Sequence, residues 1–397
     1  MSDSGPSIRR LMISYSALGA CLSAGYGVLF TVVADFRDAY GISDTSIGWI
    51  IGIGFLAGFV SQMLIAPIAD RGHARAVILI GVLVNAVGLL LMGIGSNLTL
   101  IVTGRVVSGL AVGAASPAIR RVVVLADPDN LGQNLGRLMS ANVFGFGFGP
   151  ALSAILVGPF GLAAPFLVIV AASLFMVPLT MGTRVAETEE TSARRFATDL
   201  LSIRPFAGAV VLGSTVFLMI GAFDALWDVV HSDLGTPSWL ANLGITLFSL
   251  PLVILGPFGG RLAQKTGPFR LAAAGLVSAA VAMATYGLLP SGGWIFTVAM
   301  LHATVDGLTL ATSGIAVAMT VPPERQAGAQ GVLGAGQALA AGAMAAGAGA
   351  LYGTSGRAAA YGVTAAVMIV MTAFGMALAA PVWTTALRDR PGLPQQP

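Results

Sequence analysis

Ala66-Pro-Ile-Ala-Asp-Arg-Gly-His-Ala-Arg75 has a counterpart later in the chain, Gly260-Arg-Leu-Ala-Gln-Lys-Thr-Gly-Pro-Phe269, at an offset of 194 residues. Further along, Gly136-Arg-Leu-Met-Ser-Ala-Asn142 aligns with Gly331-Val-Leu-Gly-Ala-Gly-Gln337 at an offset of 195 residues. Two matches at nearly the same offset indicate an internal repeat. The sequence therefore predicts two related halves.

The composition around this repeat is that of a membrane protein. Hydrophobic residues make up 56% of the chain and charged residues only 9%, whereas soluble domains carry about 25% charged residues. The single cysteine, Cys21, cannot form an intramolecular disulfide, and the sequence shows no Cys/His cluster with metal-ligand spacing. We therefore expect no metal and no cofactor. The net charge of +3 gives no reason to expect nucleic-acid binding.

Apolar runs long enough to cross about 30 Å of hydrocarbon recur along the chain. Twelve such spans are predicted near residues 11–36, 44–69, 75–95, 98–120, 138–158, 162–182, 206–230, 238–262, 269–290, 294–321, 329–352 and 358–382. A polar stretch divides them into two groups of six. The predicted organisation is an N-terminal bundle over residues 1–182, a linker over 183–205 and a C-terminal bundle over 206–397.

The basic residues predict the orientation of these spans. If the N-terminus is cytoplasmic, 17 of the 20 Lys and Arg residues lie in inside segments. Arg37 and Arg357 fall outside, and Arg105 lies within a span. Because inside loops are enriched in basic residues, we expect both termini in the cytoplasm and the protein in the cytoplasmic (inner) cell membrane.

Three segments resemble signature sequences of the major facilitator superfamily. The stretch from Ala66 to Arg75 resembles G-x-L-A-D-R-x-G-R-R, with Asp70, Arg71 and Arg75 at matching positions and Ala66, His73 and Ala74 as departures. The second copy has Gln264 in place of the acid. In the fourth span, Arg105-Val-Val-Ser-Gly109-Leu-Ala-Val-Gly113 resembles R-x-x-x-G-x-x-x-G. In the fifth, Gly145-Phe-Gly-Phe-Gly149-Pro150 resembles the antiporter motif G-x-x-x-G-P, although Ser153 and Ala154 replace its trailing glycines.

The resemblance implies an all-α membrane fold of twelve helices in two pseudo-symmetric six-helix bundles. It also implies a drug:proton antiporter that exports a small lipophilic compound by alternating access, with protons and the lipid bilayer as its other partners. We expect a monomer. Any substrate site belongs between the two bundles, near the bilayer midplane.

Gating is expected to involve two groups of residues. Asp70, Arg71 and Arg75 are expected to form a cytoplasmic charge network that latches the halves in one state. The alternative for the two arginines is that they only obey the charge rule for inside loops. Gly145 and Gly149 permit close helix approach, and Pro150 can bend its helix.

Ionisable residues inside spans are costly and usually functional. They are Arg105, Asp224, Asp228, His302 and Asp306, all on spans that the resemblance places around the central cavity. Asp306 lies about 18 Å from the outer end of its span, near the midplane, and His302 shares its helix face. We expect Asp306 to carry the coupling proton, assisted by His302 and Arg105. A static pair of Asp306 with either residue is the alternative.

The remaining site residues are candidates for the cavity wall. Tyr15, Tyr26, Phe217, Phe223 and Trp227 are expected to supply aromatic surface, each with a lipid-facing or interfacial position as the alternative. Trp227 and His231 flank Asp228 near the outer interface, where solvated helix-end positions are expected. Asn142 and Gln337 occupy repeat-equivalent places and are expected to bind substrate or to join helices.

Three other functions compete with export. A metabolite importer or a facilitative uniporter shares the same fold, but a uniporter of a neutral solute has no need of a midplane acid. A non-transporting receptor or scaffold is disfavoured because no long soluble segment is predicted. An enzyme is disfavoured because the sequence contains no HExxH, no GxSxG and no clustered carboxylate pair.

Overall fold

The computed structural model describes residues 4–41, 44–183 and 196–382. Within these ranges the chain is helical and contains no strand. The α-helices are α1 (Ser4–Tyr40), α2 (Asp44–Leu64), α3 (Ala74–Ile94), α4 (Leu98–Ala126), α5 (Leu131–Phe160), α6 (Ala164–Met181), α7 (Arg204–Asp233), α8 (Ser238–Thr266), α9 (Pro268–Tyr286), α10 (Gly292–Thr309), α11 (Thr312–Thr320) and α12 (Gln326–Ala379). This confirms the predicted all-α fold.

Two features of the last helices reconcile these bounds with the predicted spans. The tenth span is interrupted after Thr309, so that it consists of α10 and the short α11. Conversely, α12 has 54 residues and contains a non-helical residue, Gly356, with φ 79° and ψ 179°. Its length of about 80 Å is more than twice the thickness of the hydrocarbon core. It therefore holds the eleventh span before Gly356 and the twelfth after it, which confirms twelve spans in the described chain.

The repeated signature lies in a tight turn between α2 and α3. Residues Ala66–Arg71 form a 3-10 helix, and Gly72 follows with φ 80°, a backbone conformation that glycine adopts at no steric cost. Pro67 occupies its first turn, where a missing backbone N–H is tolerated. This turn buries Asp70, which is only 2% exposed.

The chain forms two compact units. The first consists of Met1–Asp129, Arg137–Thr198 and Pro323–Ala338, and the second of Asn130–Gly136, Asp199–Pro322 and Leu339–Pro397. Each unit thus takes the first turns of one helix, α5 or α12, from the opposite half of the sequence. Most of the predicted linker 183–205 lies outside the described residues.

Helices within each unit pack closely through small residues, and some of the polar side chains that they bury pair across helices. In the first unit, α4 packs on both α2 and α3, and Ser108 of α4 donates a hydrogen bond to Asn85 of α3 at 2.7 Å. In the second unit, α8 packs on α10. Large apolar side chains cover the outside of both units, for example Ile155 at 68% and Val370 at 67% exposure. Such an apolar surface suits contact with lipid rather than water.

Candidate functional site

Three polar side chains form a chain inside the second unit. His302 of α10 is enclosed, and its Nε2 lies 3.3 Å from Oδ2 of Asp306, one turn further along the helix. This is an ion-pair distance without the alignment of a hydrogen bond. Nδ1 of His302 lies 3.0 Å from the hydroxyl of Tyr286 on α9. The Asp306 side chain retains 14% exposure, so the histidine connects a buried phenol to a carboxyl that reaches the surface of the unit.

Aromatic rings surround this polar chain. The ring of Phe248 meets His302 edge-on at a centroid distance of 5.9 Å. Phe223 lies 5.0 Å from Phe248 and 4.8 Å from Trp227. Phe223 also lies 6.1 Å from Tyr286. Because these rings exclude water, interactions between charges at His302 are stronger than they would be in solvent.

The prediction that Trp227 and His231 lie at a solvated helix end is wrong. Trp227 and His231 are each only 1% exposed, and Nδ1 of His231 lies 2.9 Å from the carbonyl oxygen of Trp227. The indole fits against Gly244 of α8, whose lack of a side chain leaves the necessary room. The side chain of Asp228 lies outside the described residues, and Asp224 on the same helix is exposed.

Arg105 is buried in the first unit without a carboxylate. Its side chain on α4 is 1% exposed, and among the described residues no acid pairs with it. The guanidinium carbon lies 4.2 Å from the ring centroid of Tyr26 and 5.6 Å from that of Phe55. Its Nε and Nη2 have no hydrogen-bond partner in the described structure.

The aromatic contacts only partly compensate this burial. A desolvated cation over an aromatic ring gains about 2 kcal/mol, whereas burying an unpaired ion costs several kcal/mol even after relaxation. Asp306 and Arg105 belong to different compact units, and each has its own neighbours. The acid has His302 beside it, and the arginine has Tyr26 and Phe55.

Asp70 accepts three hydrogen bonds inside the first unit. Nε of Arg121 lies 3.1 Å from its Oδ1, with both side chains almost fully buried. The backbone amides of Ala327 and Gly328, in the first turn of α12, donate to the same carboxylate at 2.8 and 2.7 Å. The first N–H groups of a helix lack partners within the helix and favour a negative charge. Asp70 supplies both the acceptor and the charge.

The predicted partners of Asp70 need correction. Its basic partner in the described structure is Arg121, whereas Arg71 is half-buried on the same turn and Arg75 donates to the carbonyl oxygen of Met181. The reason is the path of the chain. The 3-10 turn directs Asp70 inwards toward the end of α4, while Arg75 already belongs to α3.

A neutral residue occupies the equivalent place in the second unit. Oε1 of Gln264, near the end of α8, accepts a hydrogen bond from the backbone amide of Gly132 at 2.9 Å. Gln264 is 194 residues after Asp70, and Gly132 is 195 residues before Ala327. The repeat therefore places a side-chain acceptor on the first turn of α12 in one unit and on the first turn of α5 in the other.

The other predicted cavity residues are distributed through the two units. Tyr15 and Phe223 are buried, at 1% and 6% exposure, which rules out a lipid-facing position for both. Phe217 is half-buried, and Gln337 is 6% exposed. Oδ1 of Asn142 is buried without a partner in the described structure. It lies close to Gly19, in a small pocket also lined by Ser116, Ile119 and Leu138.

The glycines of α5 allow it to approach α1. A methyl group at Gly145 would lie 2.7 Å from Cα of Ala20, and one at Gly149 would lie 2.5 Å from the backbone nitrogen of Val28. Neither contact is possible for a real side chain, so both positions require glycine. Pro150 follows inside the same helix.

Arg121 and Tyr286 belong to these clusters but were not among the predicted site residues. From the sequence, Arg121 was predicted only to be one of the 17 basic residues in inside segments. The signal that could have pointed to Arg121 is its place directly after Arg120, at the end of a long apolar run. Tyr286 lies on a span that the resemblance assigns to the periphery, and no motif singled it out.

Comparison with known proteins extends the resemblance. The model of the Major Facilitator Superfamily matches residues 15–235. Multidrug resistance protein 2 of Bacillus subtilis is 24% identical over 278 residues, which are 65% of this chain and 68% of the Bacillus protein. The human organic anion transporter MFSD10 matches with a TM-score of 0.75 and 16% identity, over 93% of this chain and 99% of that one. The Escherichia coli fucose:proton symporter FucP matches with a TM-score of 0.75 and 16% identity, over 94% of this chain and 99% of that one.

These similarities bear on fold and family. The two solved structures share the fold over nearly the whole chain. Because their sequence identity is low, they do not indicate the substrate of this chain. The family model covers more than half of the sequence. The predicted fold and the predicted resemblance are both confirmed. The chain belongs to the Major Facilitator Superfamily and is a multi-pass membrane transporter, not an enzyme.

Proposed function

We propose that this transporter exports small lipophilic compounds in exchange for protons, in the cytoplasmic membrane and with both termini inside. The observation that carries the proposal is the enclosed chain from Tyr286 through His302 to Asp306. A carboxyl that contacts the unit surface and a buried imidazole at 3.3 Å can accept and release a proton. The similarity to a multidrug resistance protein supports export.

Asp306 is the residue that takes the proton. When it is ionised, it attracts the imidazolium form of His302. When a proton enters from outside, the neutral acid loses this attraction, and the balance between the two states of the transporter shifts. Export requires that the protonated form release the substrate outside. Loss of the proton inside then allows the next compound to bind.

Asp70 and Gln264 fit the alternating-access step. Both accept bonds from the first turn of a helix that comes from the opposite half of the sequence. A cycle that moves the halves must break and remake these contacts. Their free energy therefore biases the equilibrium between states rather than the affinity for substrate.

The decisive experiment compares Asp306→Asn with Asp35→Asn in proteoliposomes. Asn resembles the protonated acid, so Asp306→Asn should insert normally and lose at least tenfold in dye export driven by a pH gradient. Substrate exchange without a gradient should survive. Asp35 is an exposed acid on α1, and its replacement should leave export within twofold of the native rate.

Undiminished proton-driven export by a stable Asp306→Asn protein would refute the coupling role. A purely structural pair predicts another pattern. Removing either partner of a buried pair strands the other, so both Asp306→Asn and His302→Gln would then reduce the folded yield. Yield, thermal stability and flux are therefore measured together.

Tyr286→Phe tests whether the phenol positions the imidazole. The ring remains in its aromatic surroundings, but Nδ1 of His302 loses its 3.0 Å contact with the hydroxyl. We expect a shifted pH profile of export with an unchanged amount of folded protein. His302→Gln should shift the profile further without abolishing transport. A Tyr286→Phe protein with the native pH profile would remove this role.

The orientation of the gradient separates export from uptake. The similarity in fold to a fucose:proton symporter makes proton-driven import the alternative. Exchange predicts substrate movement against the direction of proton flow, and symport predicts movement with it. Transport that is indifferent to pH would indicate a facilitative uniporter.

A further inference from the structure

We propose that Arg105 binds the anionic group of a lipophilic anion, so that amphipathic anions are the preferred substrates. The inference deepens the proposed function and rests on it. It begins from a buried cation whose Nε and Nη2 lack partners in the described structure.

The surroundings of Arg105 suit a ligand with an apolar body. Tyr26 and Phe55 lie 6.1 Å apart and both face the guanidinium. Phe55 is 39% exposed, whereas Arg105 is 1% exposed. The aromatic pair therefore leads from the surface of the unit to the buried charge. An apolar body can lie against the rings while its anionic end reaches the two free N–H groups.

A stabilising role in the fold explains this arrangement less well. A structural arginine is expected to use its donors on carboxylates or carbonyls, as Arg121 does with Asp70. Arg105 contacts Tyr26 by a side-chain hydrogen bond and through the ring, but its Nε and Nη2 have no partner in the described structure. A bound anion satisfies both donors and neutralises the charge. A substrate with a permanent positive charge would instead be repelled by the Arg105 guanidinium, because the enclosed apolar surroundings do not screen the two charges.

The chain offers one variant that moves the guanidinium without removing it, and a matched control that does not move it. A methyl group at Gly54 of α2 would lie 2.5 Å from Cζ of Arg105, so Gly54→Ala must displace the side chain. At Gly52, two residues earlier and therefore on another face of α2, the same methyl meets nothing within 4 Å. Gly52→Ala is thus the control for changing a glycine in this helix.

The experiment measures binding to the purified full-length protein in an uncharged detergent. The probes are a dansyl-labelled alkyl sulfonate, the matching trimethylammonium and the matching neutral alcohol. We expect the native protein to bind the sulfonate at least tenfold more tightly than the trimethylammonium. Arg105→Gln and Gly54→Ala should each abolish that preference and leave the alcohol unaffected, while Gly52→Ala should retain it.

Thermal unfolding without probe gives a second readout. Since Arg105→Gln removes an uncompensated charge, its unfolding midpoint should equal or exceed that of the native protein. A lower midpoint together with an intact sulfonate preference would assign Arg105 to structure alone. If Arg105→Gln does not fold, the comparison of Gly54→Ala with Gly52→Ala decides.

Equal or tighter binding of the trimethylammonium probe to the native protein would overturn the proposal, as would failure of the sulfonate to bind. These measurements need no proton gradient. A separate measurement tests the proposed function. If the proposed proton exchange is wrong, the neutral alcohol will not move in response to a pH gradient in proteoliposomes.

Discussion

Asp70 in the first unit and Gln264 in the second hold equivalent places in the repeat but make different contacts. The acid accepts two backbone amides from the first turn of α12 and the guanidinium of Arg121. The amide accepts one backbone N–H from the first turn of α5. The contact of Asp70 is charge-assisted, and the contact of Gln264 with α5 is neutral. The same geometry therefore carries unequal strength in the two halves.

The second half lacks the arginine that an acid at position 264 would need. The positions 194 and 195 residues after Arg121 are Ile315 and Ala316, which are 0% and 1% exposed. The positions equivalent to Arg121 therefore carry no charge that could pair with an aspartate at position 264. Because a buried unpaired carboxylate is costly, glutamine is the compatible acceptor. The second copy of the repeat replaces both members of the pair Asp70 and Arg121, and this difference teaches that the two side chains are best treated as one unit.

The largest expected effect concerns the side of the membrane on which the two contacts lie. In a protein with Cys21→Ala, we expect cysteines introduced at His73 and at Lys265 to react only with a reagent added from the cytoplasm. Both positions are exposed, one beside each contact. A cysteine at Ser232, on the predicted outer end of α7, should react only from outside.

Reaction of His73→Cys and Lys265→Cys from opposite sides would break the comparison, because equivalent gates must lie on one face of the membrane. Reaction of all three from one side would instead mean that the span count between them is wrong.

Asp70→Asn should have the next largest effect. It leaves Arg121 buried without its charge partner and weakens both amide bonds, and breaking a buried pair costs about 3 to 5 kcal/mol. We expect a clearly lower thermal unfolding midpoint and slower cycling, with little change in substrate affinity. The measurements are unfolding in detergent and the rate and half-saturation of transport.

The control is the double variant that carries both Arg121→Gln and Asp70→Asn. Since the double variant has no stranded charge, it should regain part of the stability that each single change loses. Additive losses would show that the two side chains act independently, and unchanged kinetics in Asp70→Asn would remove its gating role.

Gln264→Leu should have the smallest effect of the three. It removes one neutral hydrogen bond while keeping much of the side-chain volume, and such a bond contributes about 1 kcal/mol. The unfolding midpoint should fall by less than in Asp70→Asn, with a smaller change in transport rate. An equal or greater loss would contradict the unequal strength inferred for the two contacts.

The sequence predicted the fold, because membrane spans are long and apolar, and the repeat made Asp70 and Gln264 equivalent positions. It also predicted that His302 and Asp306 share a face, since a spacing of four residues decides this in any helix. The sequence did not predict the contacts between different helices. The distance from Tyr286 to His302 depends on how α9 crosses α10, and the pairing of Arg121 with Asp70 depends on the direction of a 3-10 turn. Burial of Trp227 depends likewise on Gly244, a glycine in another helix.

The segment Pro323–Ala338 has a consequence for biosynthesis. The first unit includes this segment, so it stays incomplete when the ribosome has finished the first six spans. At roughly 5 to 20 residues per second, the interval from Thr198 to Ala338 is on the order of 10 s. During that time Asp70 has Arg121 beside it but not the amides of Ala327 and Gly328. The early half of the nascent chain must therefore wait in the bilayer for its last partner, and a protein truncated before Pro323 would be exposed to quality control with its first unit unfinished.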